Sequence, residues 1–96
     1  MFGGHDAQNW GHDNAYRYTL QAAKAKERPY KLFDAGGLYL KVMPHGSKLW
    51  RQKYRYTGAE KRLSFGAYPL ISLADAREAR DNAKKLIAQD TDPAVA

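Results

Sequence analysis

The sequence predicts an α+β domain: a three-stranded antiparallel β-sheet packed on a C-terminal α-helix, with a short N-terminal helical segment. Three observations lead there. Between Leu38 and Tyr68 lie three runs with the residue types of strands, LYLKVM, KLWRQKYRY and EKRLSFGAY, separated by only a few residues. Connections that short make neighbouring strands pair antiparallel. Ser72 and Asp75 then form an S-x-x-D helix-start signal ahead of apolar positions at spacings of three and four. The chain has 96 residues, enough for one small domain with one core.

The elements follow in chain order. Residues 1–14 read as a flexible leader: they are polar, Gly-rich and unpatterned. The triplet GHD occurs there twice, at Gly4–Asp6 and Gly11–Asp13. Paired His and Asp residues suggest a metal, but such ligands need a rigid frame that this stretch does not supply, so no metal site is expected. The domain proper spans 15–93. A short helix is expected from Ala15 to Lys26, with Tyr16, Leu20 and Ala23 on one face and Pro29 as its stop. Tyr30, Leu32 and Phe33 make a short apolar stretch packing under the core. Asp34 to Gly37 is a turn, since paired glycines tolerate positive φ. Pro44 ends the first strand. His45 to Ser47 returns the chain, and Thr57 to Ala59 is a hairpin loop. The helix should run from about Leu73 to Ile87, with Leu73, Ala76, Ala83 and Leu86 or Ile87 inward. Arg77, Asp81, Lys84 and Lys85 should lie away from the sheet. Asp90 to Ala96 reads as a fraying exit.

The net charge is +6, and its placement says more than its total. Residues 38–62 hold seven lysines and arginines against Glu60 alone. Side chains alternate across a strand. The inner face is therefore Leu38, Leu40, Val42, Trp50, Tyr54, Leu63 and Phe65, with Ala67 in phase with the last two. The outer face carries Tyr39, Lys41, Arg51, Lys53, Arg55, Arg62 and Ser64. Antiparallel sheets often leave one polar face to water. An ordinary solvated face mixes signs, because like charges across strands repel. A face with five cations and no acid, unless Glu60 at the strand edge counts, points instead to an anionic partner, and a β-ribbon can enter the major groove of DNA. Arg51 and Arg55 are the expected base readers, since arginine pairs bidentately with guanine.

These residues also resemble a known family. The run Arg28-Pro29-Tyr30-Lys31-Leu32-Phe33-Asp34-Ala35-Gly36-Gly37-Leu38-Tyr39-Leu40 is similar to part of the N-terminal arm-binding domain of phage and genomic-island tyrosine integrases. So are Gly46 to Arg51, Lys53 to Arg55, Glu60 to Pro69, Ser72 to Arg77 and Asp92-Pro93, so the resemblance covers roughly residues 19–93. The N-terminus departs from it: the family opens with a short LTD-type helix start, and this chain has NAYRYTLQAAK. The resemblance implies a three-stranded sheet that docks in the major groove of arm-type sites flanking a crossover site. It implies double-stranded DNA as partner, other integrase subunits in the full-length protein, and a bacterial cytoplasmic, nucleoid-associated setting. Residues 94–96 would begin the linker to core-binding and catalytic domains.

No catalysis is expected of these residues. None of His5, His12 or His45 is followed three positions on by the arginine of an H-x-x-R pair. No phosphate cradle accompanies any of the seven tyrosines. There is no clustered acid–base pair, metal spacing or phosphate loop, so no cofactor is expected. With no cysteine, disulfides and thiolate metal sites are excluded. No apolar run approaches the ~20 residues of a membrane span. Two other binding functions compete: a double-stranded RNA-binding module, since RNA recognition often displays aromatics for base stacking, and a protein-interaction module docking on recombinase subunits. Most sheet aromatics point inward, Tyr39 excepted, and exposed apolar material is sparse.

Overall fold

The computed structural model describes residues 14–95, so the expected leader lies outside the described residues except for Asn14. In chain order the elements are α1 (residues 14–22), β1 (Tyr30–Phe33), β2 (Leu38–Val42), β3 (Lys48–Tyr56), β4 (Ala59–Tyr68) and α2 (Leu73–Ala88). The strands form one antiparallel sheet in the order β1-β2-β3-β4.

The α+β class holds, but the sheet has four strands where three were expected. The added strand is the apolar stretch after Pro29. It pairs from Tyr30 with Val42 to Phe33 with Tyr39. Tyr30 and Leu32 turn inward while Lys31 and Phe33 stay exposed. Backbone pairing with β2 makes this edge strand, and four residues carry only two periods of alternation.

Leu20 from α1, Leu38 and Leu40 from β2, Trp50 from β3, and Leu73 and Ala76 from α2 form the core. Both helices therefore cover the inner face. Trp50 is fully buried, and its Nε1 donates to the Ile71 carbonyl at 2.7 Å. Its ring meets Tyr68 edge-on at 6.1 Å. Phe65 packs against this cluster as expected.

Helix α1 ends at residue 22, well before Pro29. Lys48 supplies part of the reason for the early stop: its Nζ donates to the carbonyls of Leu20 and Gln21 at 2.9 and 3.2 Å. Those are last-turn acceptors that the helix cannot satisfy itself. At the other helix, Ser72 Oγ accepts from the Asp75 amide, and the Asp75 carboxylate accepts from the Ser72 amide. This reciprocal cap is the one the S-x-x-D spacing predicts.

Arg77 does not lie away from the sheet as expected. Its Nε and Nη2 grip both oxygens of Asp34 at 2.9 and 3.0 Å. Arg80 adds bonds to Asp34 and to the Ala35 carbonyl at 3.2 and 2.9 Å. Helix α2 is thus fastened to the β1–β2 turn. In that turn Gly37 has φ +87°, and a Cβ there would collide with the Lys53 carbonyl. The Lys53 amide donates to the Gly37 carbonyl at 3.0 Å, so this close approach extends the β2–β3 pairing.

The β3–β4 hairpin closes on Thr57 and Gly58, with φ of 49° and 81°. Both central residues are left-handed, as a two-residue turn between twisted strands requires. Farther along, Arg51 pairs with Ser64 and Trp50 with Gly66, leaving Phe65 as an extra residue. This β-bulge corrects one expectation. Beyond it Tyr68 pairs opposite Lys48 on the inner side, and Ala67 pairs opposite Leu49 on the outer side. Gly66 sits at φ +109° beside the bulge.

The tail is not a fraying exit. Asp92 is buried, accepts from the Tyr54 hydroxyl at 2.7 Å, and is gripped by Lys61. The Tyr56 hydroxyl donates to the Asp90 carbonyl at 2.9 Å. Residues 90–92 therefore close over the far end of the inner face.

Candidate nucleic-acid interface

The pairing register lays out the outer face row by row. Phe33, Tyr39, Arg51 and Ser64 are successive partners across the four strands. The neighbouring row is Lys31, Lys41, Leu49 and Ala67. Past the end of β2 come the pairs Lys53–Arg62 and Arg55–Glu60. All seven predicted outer-face residues, Tyr39, Lys41, Arg51, Lys53, Arg55, Arg62 and Ser64, fall in these rows. Both helices pack on the opposite side.

Strand alternation also sorts the cations by what they touch. The inner-face Lys48 caps α1, and the inner-face Lys61 pairs with Asp92. On the outer face Lys41, Arg51 and Arg62 have no carboxylate partner among the described residues. Arg51 is half-buried, and its Nε has no hydrogen-bond acceptor among the described residues. A buried donor without a partner is costly in isolation and is commonly satisfied by a ligand or water. Arg55 is exposed, with Nη1 leaning on the Gly58 carbonyl at 3.4 Å.

Two outer-face residues differ from expectation. Tyr39 faces outward yet is only 2% exposed. Lys31 Nζ sits 4.8 Å over its ring, and the Phe33 ring lies 5.9 Å away. Tyr39 is a floor beneath longer side chains rather than an open stacking surface. Glu60 also belongs to the face, 3.5 Å from Lys53 Nζ, so the face is not purely cationic. Both groups are open to water, and such a pair contributes little.

Sequence reasoning missed Lys31 and Phe33, because β1 was not recognised as a strand. The signal was present in the alternation of Tyr30-Lys31-Leu32-Phe33, over too short a run to stand out. Phe33 is 68% exposed.

The resolved proton-binding shifts lie on the inner side. Lys61, Tyr54 and the Ala94 amide all bond the Asp92 carboxylate and hold it down at about 2. Burial, and then the adjacent Asp92, push the Tyr54 hydroxyl up to about 12. Tyr16 is likewise raised to about 12 by burial and then by Asp34. Among the described residues no three His, Asp or Glu side chains gather as a metal would require, and no helix is long and apolar enough to cross a membrane.

The arrangement is a half-polar β-surface that presents guanidinium and ammonium groups at strand spacing, groups that can engage an anion. Comparison with known proteins points the same way. The family model described as arm DNA-binding domain matches residues 16–96. An integrase of Enterobacteria phage P4 is 51% identical over 78 residues, covering 79% of this chain and 18% of that protein. An integrase of Shigella phage Sf6 and the prophage integrase IntS of Escherichia coli K12 are each 46% identical over 77 residues. Those two matches cover 80% of this chain and 20% of each relative. The chain spans about a fifth of the length of the curated relatives it matches.

Proposed function

The chain belongs to the arm DNA-binding domain family, and from that premise we propose that its outer sheet face binds arm-type duplex DNA through the major groove. The chain then serves as the N-terminal module of a site-specific tyrosine recombinase of phage or prophage origin, acting in the bacterial cytoplasm beside other subunits of the same enzyme. Residues 1–14 form its leader, and residues 94–96 lead toward the domains that cut and rejoin DNA.

One observation supports this reading best. Cations of β2, β3 and β4 converge on one face, where Lys41, Arg51 and Arg62 have no carboxylate partner among the described residues, while the inner-face Lys48 and Lys61 have partners within the domain. The major groove, about 12 Å wide, admits a β-ribbon of this kind. Arg51 is the first choice for a base reader. Its stem is held by the sheet, and its Nε has no partner to lose on binding. Arg55 is the second choice. Lys41, Lys53 and Arg62 neutralise phosphates, Ser64 donates to one, and Tyr39 supports the row from below.

The test is binding of the chain to labelled attachment-region duplexes, with an RNA duplex as comparator. Arg51→Ala should cost ~1–3 kcal/mol on the preferred sequence and relax specificity. Lys53→Ala should weaken all duplexes about equally. Lys85, exposed on the last turn of α2, is the charge control, and alanine there should leave binding unchanged. Equal loss from Lys85→Ala and Arg51→Ala, or tighter binding to RNA, would refute the sheet-face reading.

A further inference from the structure

Phe33 is an anomaly on a surface otherwise suited to phosphates and base edges. It is a large apolar side chain, 68% exposed, at the edge of the sheet. It stands in the same cross-strand row as Arg51 and Ser64, with Tyr39 between. On one side it meets the Tyr39 ring, 5.9 Å away and tilted by 51°. Tyr39 is itself held under Lys31. The result is an apolar probe about two strand spacings, or ~10 Å, from Arg51. That span is roughly three base steps along a strand of DNA.

In the major groove one base displays an apolar group, the C5-methyl of thymine, and phenylalanine is among the side chains that contact it. We propose that Phe33 recognises a thymine methyl in the major groove, while Arg51 in the same row reads a guanine roughly three base steps away. The inference rests on the sheet-face reading of function and adds a sequence determinant to it. It uses strand β1, which brings to the face its one large exposed apolar side chain among the described residues. Burying a methyl against a ring gives modest discrimination, on the order of four-fold per methyl. The site is therefore tuned by shape where Arg51 tunes it by hydrogen bonding.

The experiment starts from a short duplex enriched by the chain from a random-sequence library. Each thymine is replaced in turn by deoxyuridine, which pairs identically and lacks only the methyl. Replacement at one position should weaken the unaltered chain about four-fold. Phe33→Ala should bind the thymine duplex that much less well and be indifferent to the same replacement. Phe33→Leu, which keeps an apolar tip, should retain part of the sensitivity and guards against a folding defect. A thermal melt of each variant checks the fold. If the unaltered chain tolerates every replacement, or if Phe33→Ala stays sensitive at the same position, the thymine inference is overturned while duplex binding stands. If Phe33→Ala loses single-stranded DNA more than duplex, the ring stacks on bases and the inference is likewise overturned. If no duplex is enriched and Arg51→Ala changes nothing, the sheet-face reading fails and the inference falls with it.

Discussion

At the residue scale, Trp50 and Asp92 carry the clearest consequences. Trp50 fills the space between sheet and α2 and spends its one donor on Ile71. Trp50→Ala should cost ~3–5 kcal/mol, a large part of the stability of so small a domain, measurable by urea unfolding. Near-native stability would mean the faces of the sheet are reversed. Asp92 links stability to pH. Its carboxyl is held at about 2, below the ordinary 3.8. A carboxyl depressed by folding stabilises fully above its ordinary value, and that contribution fades as pH falls through about 2. Asp92→Asn should therefore melt lower than the unaltered chain at neutral pH, with the gap closing between about pH 4 and 2. Tyr54 has the opposite sign: raised from 10.0 to about 12, it stabilises below its ordinary value and loses that contribution as pH climbs through about 12. Tyr54→Phe should flatten the alkaline limb of the same melting profile. The tyrosine at position 54 was recognised as inward from alternation alone. Its carboxylate partner was not, because the two lie far apart in sequence and Pro93 suggests a frayed end. A buried hydroxyl needs an acceptor, and that requirement was the available clue.

At the scale of elements, the N-terminal cap of α2 was the most legible feature. Ser72 and Asp75 act locally, so their spacing alone specifies the bonds they make. Ser72→Ala should cost ~1 kcal/mol by denaturant titration. The clasp between Asp34 and the two arginines of α2 is a different case. Arg77 has a helix position that looks solvent-facing, and only the location of the β1–β2 turn reveals its role. Arg77→Ala should destabilise by ~1–3 kcal/mol, several times more than Lys85→Ala in the same titration. Strand β1 was hidden for a related reason. An edge strand is defined by the partner that accepts its backbone, and four residues beside a proline carry too little alternation to reveal that partner.

At the scale of the whole molecule, the separation of charge was legible in the sequence itself. Alternation alone divided KLWRQKYRY into a buried aromatic side and an open cationic side, and the register of β2, β3 and β4 keeps that division. Hidden from that reasoning were the local partners: Glu60 beside Lys53, and Tyr39 roofed by Lys31. Both depend on how side chains from different strands fold over one another. With Arg51 assigned to a base and about four cations left for phosphates, log affinity should fall against log salt with a slope of roughly −4. Binding measured from low to high salt checks this. A slope near zero would indicate an apolar interface and remove the electrostatic basis of the proposal.

The bulge at Phe65 sets the phase of the last third of β4. A strand has two sides and so only two phases, and one extra residue exchanges them. Ser64 and Ala67 both reach the outer side because Phe65 makes the interval between them odd; Gly66 and Tyr68 reach the inner side for the same reason. The strand therefore tolerates at Phe65 a deletion that a regular strand would not. Phe65→Ala trims one side chain from the rim of the core. Deleting Phe65 removes only the extra residue, so Ser64 stays opposite Arg51, Gly66 opposite Trp50 and Tyr68 opposite Lys48. The deletion should lower the melting temperature about as much as the substitution does. A deletion that melts far below the substitution would show that the bulge geometry itself, with Gly66 at φ +109°, holds the end of β4 in place.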